Sequence, residues 1–301
     1  MTISRAQLAK ELEPGLNALF GLEYDRYEDE AAEIFSGESS DRAFEEEVML
    51  SGFGTAPVKS EGSAINFDDA QETYTARYTM ETIALAFSIT EEAVEDNLYD
   101  KLATRYTRAL ARSMAQTRQI KGASVLNNAF STASPIGDGA ALCSAAHPSL
   151  SGNQDNLLAT PADLNETSLE EVLIQVAGFT DERGLKIAVR GTKLLIPKEL
   201  QFIAERIINS NLRPGSADND INAMKSMGML PEGAVVNHFF TDADAWFVKT
   251  DCPNGFKVFN RTPLTTGTEG DFDTGNVRYK ARERYAFGVS DWRGWFGNAG
   301  A

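Results

Sequence analysis

Residues 88–122 read SITEEAVEDNLYDKLATRYTRALARSMAQTRQIKG. No proline interrupts this stretch, and no glycine precedes Gly122. Val94, Leu98, Leu102, Tyr106, Leu110 and Met114 recur every four residues, the spacing of one helix face. Ser88 to Glu91 offer a capping box, and Glu91, Glu92, Glu95 and Asp96 crowd the first turns. From Lys101 to Phe130 there is no acid, while Lys101, Arg105, Arg108, Arg112, Arg118 and Lys121 are basic. Acid at the start and base toward the end both suit the helix dipole. The pattern predicts a helix over 90–121, about 48 Å long at ~1.5 Å per residue. Such a helix is a scaffold, and nothing in it asks for catalysis.

Upstream, Thr73 to Met80 alternate with apolar groups at even positions, and Ile83, Leu85, Phe87 and Ile89 continue at odd ones. The slip predicts a bulge or a change of face in a long strand over 72–89. Residues 51–66, SGFGTAPVKSEGSAIN, read as a loop or hairpin tip. Together the two predict a projecting β-arm. Residues 21–50 are acidic, with Tyr24, Tyr27, Ile34, Phe35 and Phe44 as scattered anchors, and read as an extended arm whose apolar partner lies elsewhere. Leu8, Leu12, Leu16, Leu19 and Phe20 give an amphipathic helix over 3–20, weakened by Pro14.

Downstream, 131–165 reads as polar loop. A helix over Leu169 to Phe179, a buried strand over Lys193 to Pro197 and a helix over Glu199 to Ser210 begin an α+β unit. Short strands follow at Ala234 to Val236 and Ala245 to Val248, then a Gly/Thr/Asp loop over 262–276. In the last strand Val277, Tyr279, Ala281, Tyr285, Phe287 and Val289 alternate with Arg278, Lys280, Arg282 and Arg284. Glu283 alone breaks the apolar side. Trp292 to Phe296 should anchor the end of the chain.

The 301 residues are 42% apolar and 24% charged, which permits a packed core. No apolar run approaches the ~20 residues that span a bilayer, and the first residues lack the apolar stretch of a secretory signal. Two cysteines and two histidines build neither a disulfide framework nor a closed zinc site. The expectation is a soluble, intracellular, metal-free chain. Of the net charge of −16, residues 1–100 carry −17 and residues 101–301 carry +1. An acidic arm that meets something basic fits this asymmetry, as does a solvated acidic surface.

Motifs for nucleotide binding, serine hydrolysis and zinc proteolysis are missing. Cys143 and His147, four apart, could form a thiol–imidazole dyad, or a packed cysteine and a loop-fixing histidine. Asp273-Thr274-Gly275 matches the triplet of aspartic proteases, and also a common turn. Lys59 in the tip could donate an isopeptide bond, or simply be exposed.

Four motifs then fall in order. They are Leu142-Cys143-Ser144 with His147-Pro148, Gly152 and Asn156-Leu157-Leu158; Leu194-Leu195-Ile196-Pro197 leading to Ile207-Ile208-Asn209-Ser210; Asp244-Ala245-Trp246; and Gly288-Val289-Ser290-Asp291-Trp292-Arg293-Gly294. With the order of elements, they resemble the major capsid protein of tailed phages, the Hong Kong-type capsid fold, and within it the phage Mu-like major head subunit. The resemblance covers roughly residues 50–296.

The resemblance implies an α+β fold with an N-terminal arm at 1–50, an extended loop at 51–88 and a peripheral domain with spine helix at 89–165. An axial domain at about 166–270 and a return strand of the peripheral domain at 271–301 complete it. It implies a structural protein with no cofactor, found in the virion capsid and, during assembly, in the host cytoplasm. Hexamers and pentamers of it would enclose double-stranded DNA, held by weak, salt-sensitive contact. Partners would be a portal and a separate scaffold protein, since 50 arm residues leave no room for a fused scaffold, with or without a decoration protein. Inter-subunit contact is expected at Lys59, Arg77 and Tyr78 of the β-arm, at Arg105, Arg108 and Arg112 of the spine, and at Tyr24, Tyr27 and Phe35 of the N-terminal arm. The alternatives are another virion protein, such as a decoration or scaffold protein, or a small protease using Asp273 or Cys143.

Overall fold

A computed structural model describes residues 5–90, 92, 99–213, 220–271 and 275–301. The spine is helix α2 (Tyr99–Asn127), which follows α1 (Arg5–Tyr24) in chain order. The capping box and acidic first turns expected before Tyr99 lie largely outside the described residues. Gly122 does not stop the helix. A Cβ there would lie 2.9 Å from Cβ of Ala31, so the glycine lets the arm approach the helix backbone.

Two four-stranded sheets make the body. The first has the order β1 (Ser36–Ser39), β8 (Phe256–Gly270), β9 (Val277–Val289), β4 (Glu81–Ile89). The second has the order β10 (Trp295–Asn298), β7 (Trp246–Thr250), β5 (Gly191–Pro197), β6 (Ala234–Asn237). A separate hairpin pairs β2 (Phe44–Leu50) with β3 (Glu72–Thr79). Three helices complete the second unit: α3 (Glu166–Ala177), α4 (Gln201–Asn209) and α5 (Ala223–Met227). Asn165 caps α3 by accepting from the Ser168 amide at 2.9 Å, while Ser168 Oγ accepts from the Asn165 amide.

The slip seen between Met80 and Ile83 is a change of sheet: β3 pairs with β2, and β4 pairs with β9 from Glu81↔Tyr285 to Ile89↔Val277. Strand β2 pairs in the hairpin, β4 in the first sheet, and β10 in the second sheet beside β7. The expected loop at 262–276 is strand as far as Gly270. Pro263 is tolerated because it falls within a register shift between Thr262 and Thr265, where no ladder amide is required.

Three apolar clusters join these layers. Leu16 and Phe20 of α1 pack with Leu110, Ala111 and Met114 of α2 on Tyr279 and Ala281 of β9. Ile34 and Phe35 pack with Leu126, Phe247, Phe256 and Trp295, between the two sheets. Leu169, Val172 and Val176 of α3 pack on Leu194, Ile196, Trp246, Trp292 and Phe296. The N-terminal arm therefore finds its apolar partner in its own chain.

Candidate assembly surfaces

The β2–β3 hairpin runs in register from Phe44↔Thr79 to Leu50↔Glu72. Ser51 and Gln71 close its base, the Ser51 amide donating to the Gln71 carbonyl at 2.9 Å and the Gln71 amide to Ser51 Oγ. Asp68 then accepts from the Gly54 amide at 2.7 Å and from Arg183 at 2.8 Å. The Gly54 N–H, more than Arg183, holds the Asp68 carboxyl below its usual range. Beyond this clasp the tip has no partner outside itself among the described residues. Val58 is 98% exposed and Phe67 96%, with Phe53, Ile65 and Lys59 also exposed. These apolar side chains lie together in water, uncovered within the chain's described residues.

At the other end the hairpin is welded to the body. The Tyr78 ring packs edge-on against Phe259 at 4.8 Å and its hydroxyl bonds Ser290. A Cβ at Gly288 would meet that ring at 2.6 Å, so glycine is required there. Tyr78 thus anchors the hairpin within the chain and is not free for a neighbour. Phe35, 4.8 Å from Phe287 and 5.3 Å from Phe256, is buried for the same reason. Arg77 is half-exposed but engaged locally, 3.8 Å from Glu46 and 4.2 Å over the Phe44 ring.

Several acids of the first third of the sequence meet bases inside the chain. Buried Lys257 joins Glu38 of β1 at 3.0 Å to Glu47 of β2 at 2.5 Å. Buried Lys193 joins Glu33 at 2.6 Å to Glu232 at 2.9 Å. Burial disfavours the Lys193 ammonium, but the two carboxylates outweigh it and raise its pKa above the ordinary value. On the spine, Arg118 lies 3.8 Å from Asp29, and Arg108 4.0 Å from Glu23. Arg105 and Arg112 are exposed, and Tyr27 lines a groove with Arg112 and Gln119. Tyr24 stacks near Phe20; burial first, then Glu283, pushes its hydroxyl up to about 12.

A second cationic strip runs along β9. The pairing places Arg278, Lys280, Arg282 and Arg284 opposite Ser88, Ala86, Ala84 and Thr82 of β4. On the other side lie Glu269, Gly267, Thr265 and Thr262 of β8. Arg278 is paired with Asp271. The side chains of Lys280, Arg282 and Arg284 have no ionic partner among the described residues.

On the opposite face Glu283 is 2% exposed, with Oε1 unpartnered and Oε2 3.9 Å from Arg118. Burial raises its carboxyl from 4.5 to about 7 against the pull of Arg118. Below pH 4.5 the folded and unfolded chains are both protonated and the site costs nothing. Between 4.5 and 7 the unfolded chain ionises first, and the penalty grows by ~1.4 kcal/mol per pH unit. Glu283→Gln should therefore stabilise more at pH 8.5 than at pH 5.5, by roughly 2 kcal/mol in denaturant unfolding. An equal gain at both pH values would contradict this origin of the shift.

The proposed chemistry does not assemble at Cys143. Its thiol is fully buried, which pushes its pKa far up, and its Sγ fills the space over Gly297. His147 is stacked 4.4 Å from Trp292, with Nδ1 2.6 Å from Asp138 and Nε2 3.0 Å from Asn156, so neither nitrogen serves the thiol. Asp273 lies outside the described residues.

A hairpin with an unsupported apolar tip, a spine helix across a long sheet and a second sheet with its own helices define a shell subunit. The phage capsid protein family model matches residues 73–298, and the chain belongs to that family. Many copies form the shell of a phage capsid. No curated protein matches the sequence. The fold is similar to the capsid of an empty GTA particle, at 13% identity and TM-score 0.55, covering 91% of this chain and 92% of that one. It is also similar to the capsid of Myoviridae phage XM1, at 11% identity and TM-score 0.54, covering 89% of each chain. For the virus-like particle from Pyrococcus furiosus the identity is 9% and the TM-score 0.53, over 94% of this chain and 97% of that one. At such identities the likeness is one of fold.

Proposed function

We propose that the chain is the major head subunit of a tailed phage. It assembles as hexamers and pentamers around double-stranded DNA with a portal and a separate scaffold protein, and has no catalytic role. The order of the Mu-like motifs supports that branch of the family. The observation that carries the reading is the exposed apolar tip, which a neighbouring subunit would cover. The first sheet with α2 corresponds to a peripheral domain, and the second sheet with α3 to α5 to an axial domain.

Electrostatic contact between subunits uses the cations that have no ionic partner among the described residues: Arg105 and Arg112 on the spine, and Lys280, Arg282 and Arg284 on β9. Acids of a neighbouring subunit would meet them, each exposed pair contributing ~0.2–1 kcal/mol and repeating in every copy. Changing Arg105, Arg108 and Arg112 together to Gln should leave the fold intact and slow assembly at low salt, with the difference fading at high salt. Light scattering reads this directly. Assembly indistinguishable from the unmutated chain at both salts would remove the spine from the contact.

A further inference from the structure

At one of its charged contacts the N-terminal arm meets the spine beside Glu283. Asp29, just before the turn Glu30–Glu33, sits 3.8 Å from Arg118 and accepts from Gln119 Nε2 at 2.8 Å. The same Gln119 accepts from the Ala31 amide at 2.9 Å. Arg118 also donates to Asn260 of β8 at 3.1 Å and lies 4.9 Å over the Tyr285 ring. Beneath it is Glu283, whose second carboxylate oxygen is buried and unpartnered, as is the Tyr285 hydroxyl.

The groups that face Glu283 come from every element packed around it. They are Arg118 from the spine, Asp29 from the arm, Tyr24 from α1 and Tyr285 from its own strand. Glu81 of β4 acts on the neighbouring Tyr285 and is itself paired with Lys121 at 2.7 Å. Two carboxylates thus share one guanidinium, and their positions are unequal. Glu283 is fixed in mid-strand, while the Asp29 side chain is 45% exposed on a short turn.

We propose that Glu283 is a proton-controlled latch for the N-terminal arm, docking the arm turn when protonated and loosening it when ionised. With Glu283 neutral, Asp29 and Arg118 balance each other and the turn stays seated. With Glu283 ionised, the site carries one excess negative charge in a poorly solvated place. Asp29 is the carboxylate that can move to water. Through Gln119 it loosens its own end of the turn and the Ala31 amide, while Glu30 with His238 and Glu33 with Lys193 hold the other end. The carboxyl's elevated titration range places this exchange near neutral pH. Assembly would then be coupled to pH through the arm, independently of any contact made by the hairpin tip.

The test is hydrogen exchange on the soluble full-length chain at pH 5.5 and 8.5, corrected for intrinsic exchange rates. The reporting amides are Ala31, which donates to Gln119, and Ile34 and Phe35, which donate to the Ala31 carbonyl. Their protection should fall about tenfold between the two pH values, while amides of α2 hold theirs. Glu283→Gln should abolish the fall. Should that variant not fold, Asp29→Asn serves: it removes the competing charge, so arm protection should start lower and then stay flat with pH. An unmutated arm whose protection is the same at both pH values would overturn the latch. So would a fall that persists in either variant.

Discussion

Replacing residues 55–66 with a short Gly-Ser linker should yield a subunit that folds normally and fails to form shells. Every residue from 55 to 70 is exposed, so the excised segment buries nothing within its own chain. The closing contacts lie outside the cut: Ser51 with Gln71, and Asp68 with Gly54 and Arg183. Shortening an exposed loop changes its closure entropy only slowly with length, so stability should move little. The loss should fall on assembly, because Val58 and Ile65 are then missing from the surface a neighbour would cover. A longer excision over 56–78 is a poor test. It would remove β3, whose Ala76 and Tyr78 are buried against the body. Thermal unfolding and sedimentation separate the two effects, and normal shells from the linker variant would exclude the tip from the interface.

Arg293→Met should be among the most destabilising single substitutions in the chain, costing about 3–5 kcal/mol. The guanidinium is buried between two buried carboxylates, with Glu182 Oε1 at 2.9 Å and Asp291 Oδ1 at 3.3 Å. It also donates to the Thr180 carbonyl at 2.8 Å and stacks 4.4 Å over Trp292. Its own carbonyl accepts from Thr250 Oγ1 at 2.6 Å, which ties the last turn to β7. Removing the cation strands two buried negative charges. Adding Glu182→Gln to the Arg293 variant should recover part of the loss, since the two positions share one network. A denaturant midpoint shifted by less than the equivalent of ~1 kcal/mol would contradict this reading.

The spine and the return strand were legible because each carries its own periodicity. Leu110 and Met114 repeat at helical spacing, and Tyr279, Ala281 and Tyr285 alternate against arginines. Strand β8 was not, because Pro263, Gly267 and its threonines read as loop; its strand character comes from β9 across the ladder. The arm was legible only in part. An acidic segment with aromatic anchors predicts a basic, apolar partner, and that partner exists. It lies in the same chain, however: Lys193 is 160 positions from Glu33, and Lys257 is 210 from Glu47. Nothing local to 21–50 distinguishes such a partner from a neighbouring subunit. The burial of Phe35 and Tyr78 was hidden for the same reason. The exposed tip was legible in its glycines and serines, whereas the clasp of Asp68 by Arg183 depends on a contact across 115 positions.

A chain of this family should build a closed shell from repeated copies of itself. Electron microscopy of the purified chain, alone and with the scaffold protein proposed above, shows whether it does. Five- and six-membered rings or closed particles of uniform diameter are expected, with the 51–71 tip of one subunit lying on the next. Only discrete monomers, at every salt concentration and with scaffold present, would contradict it.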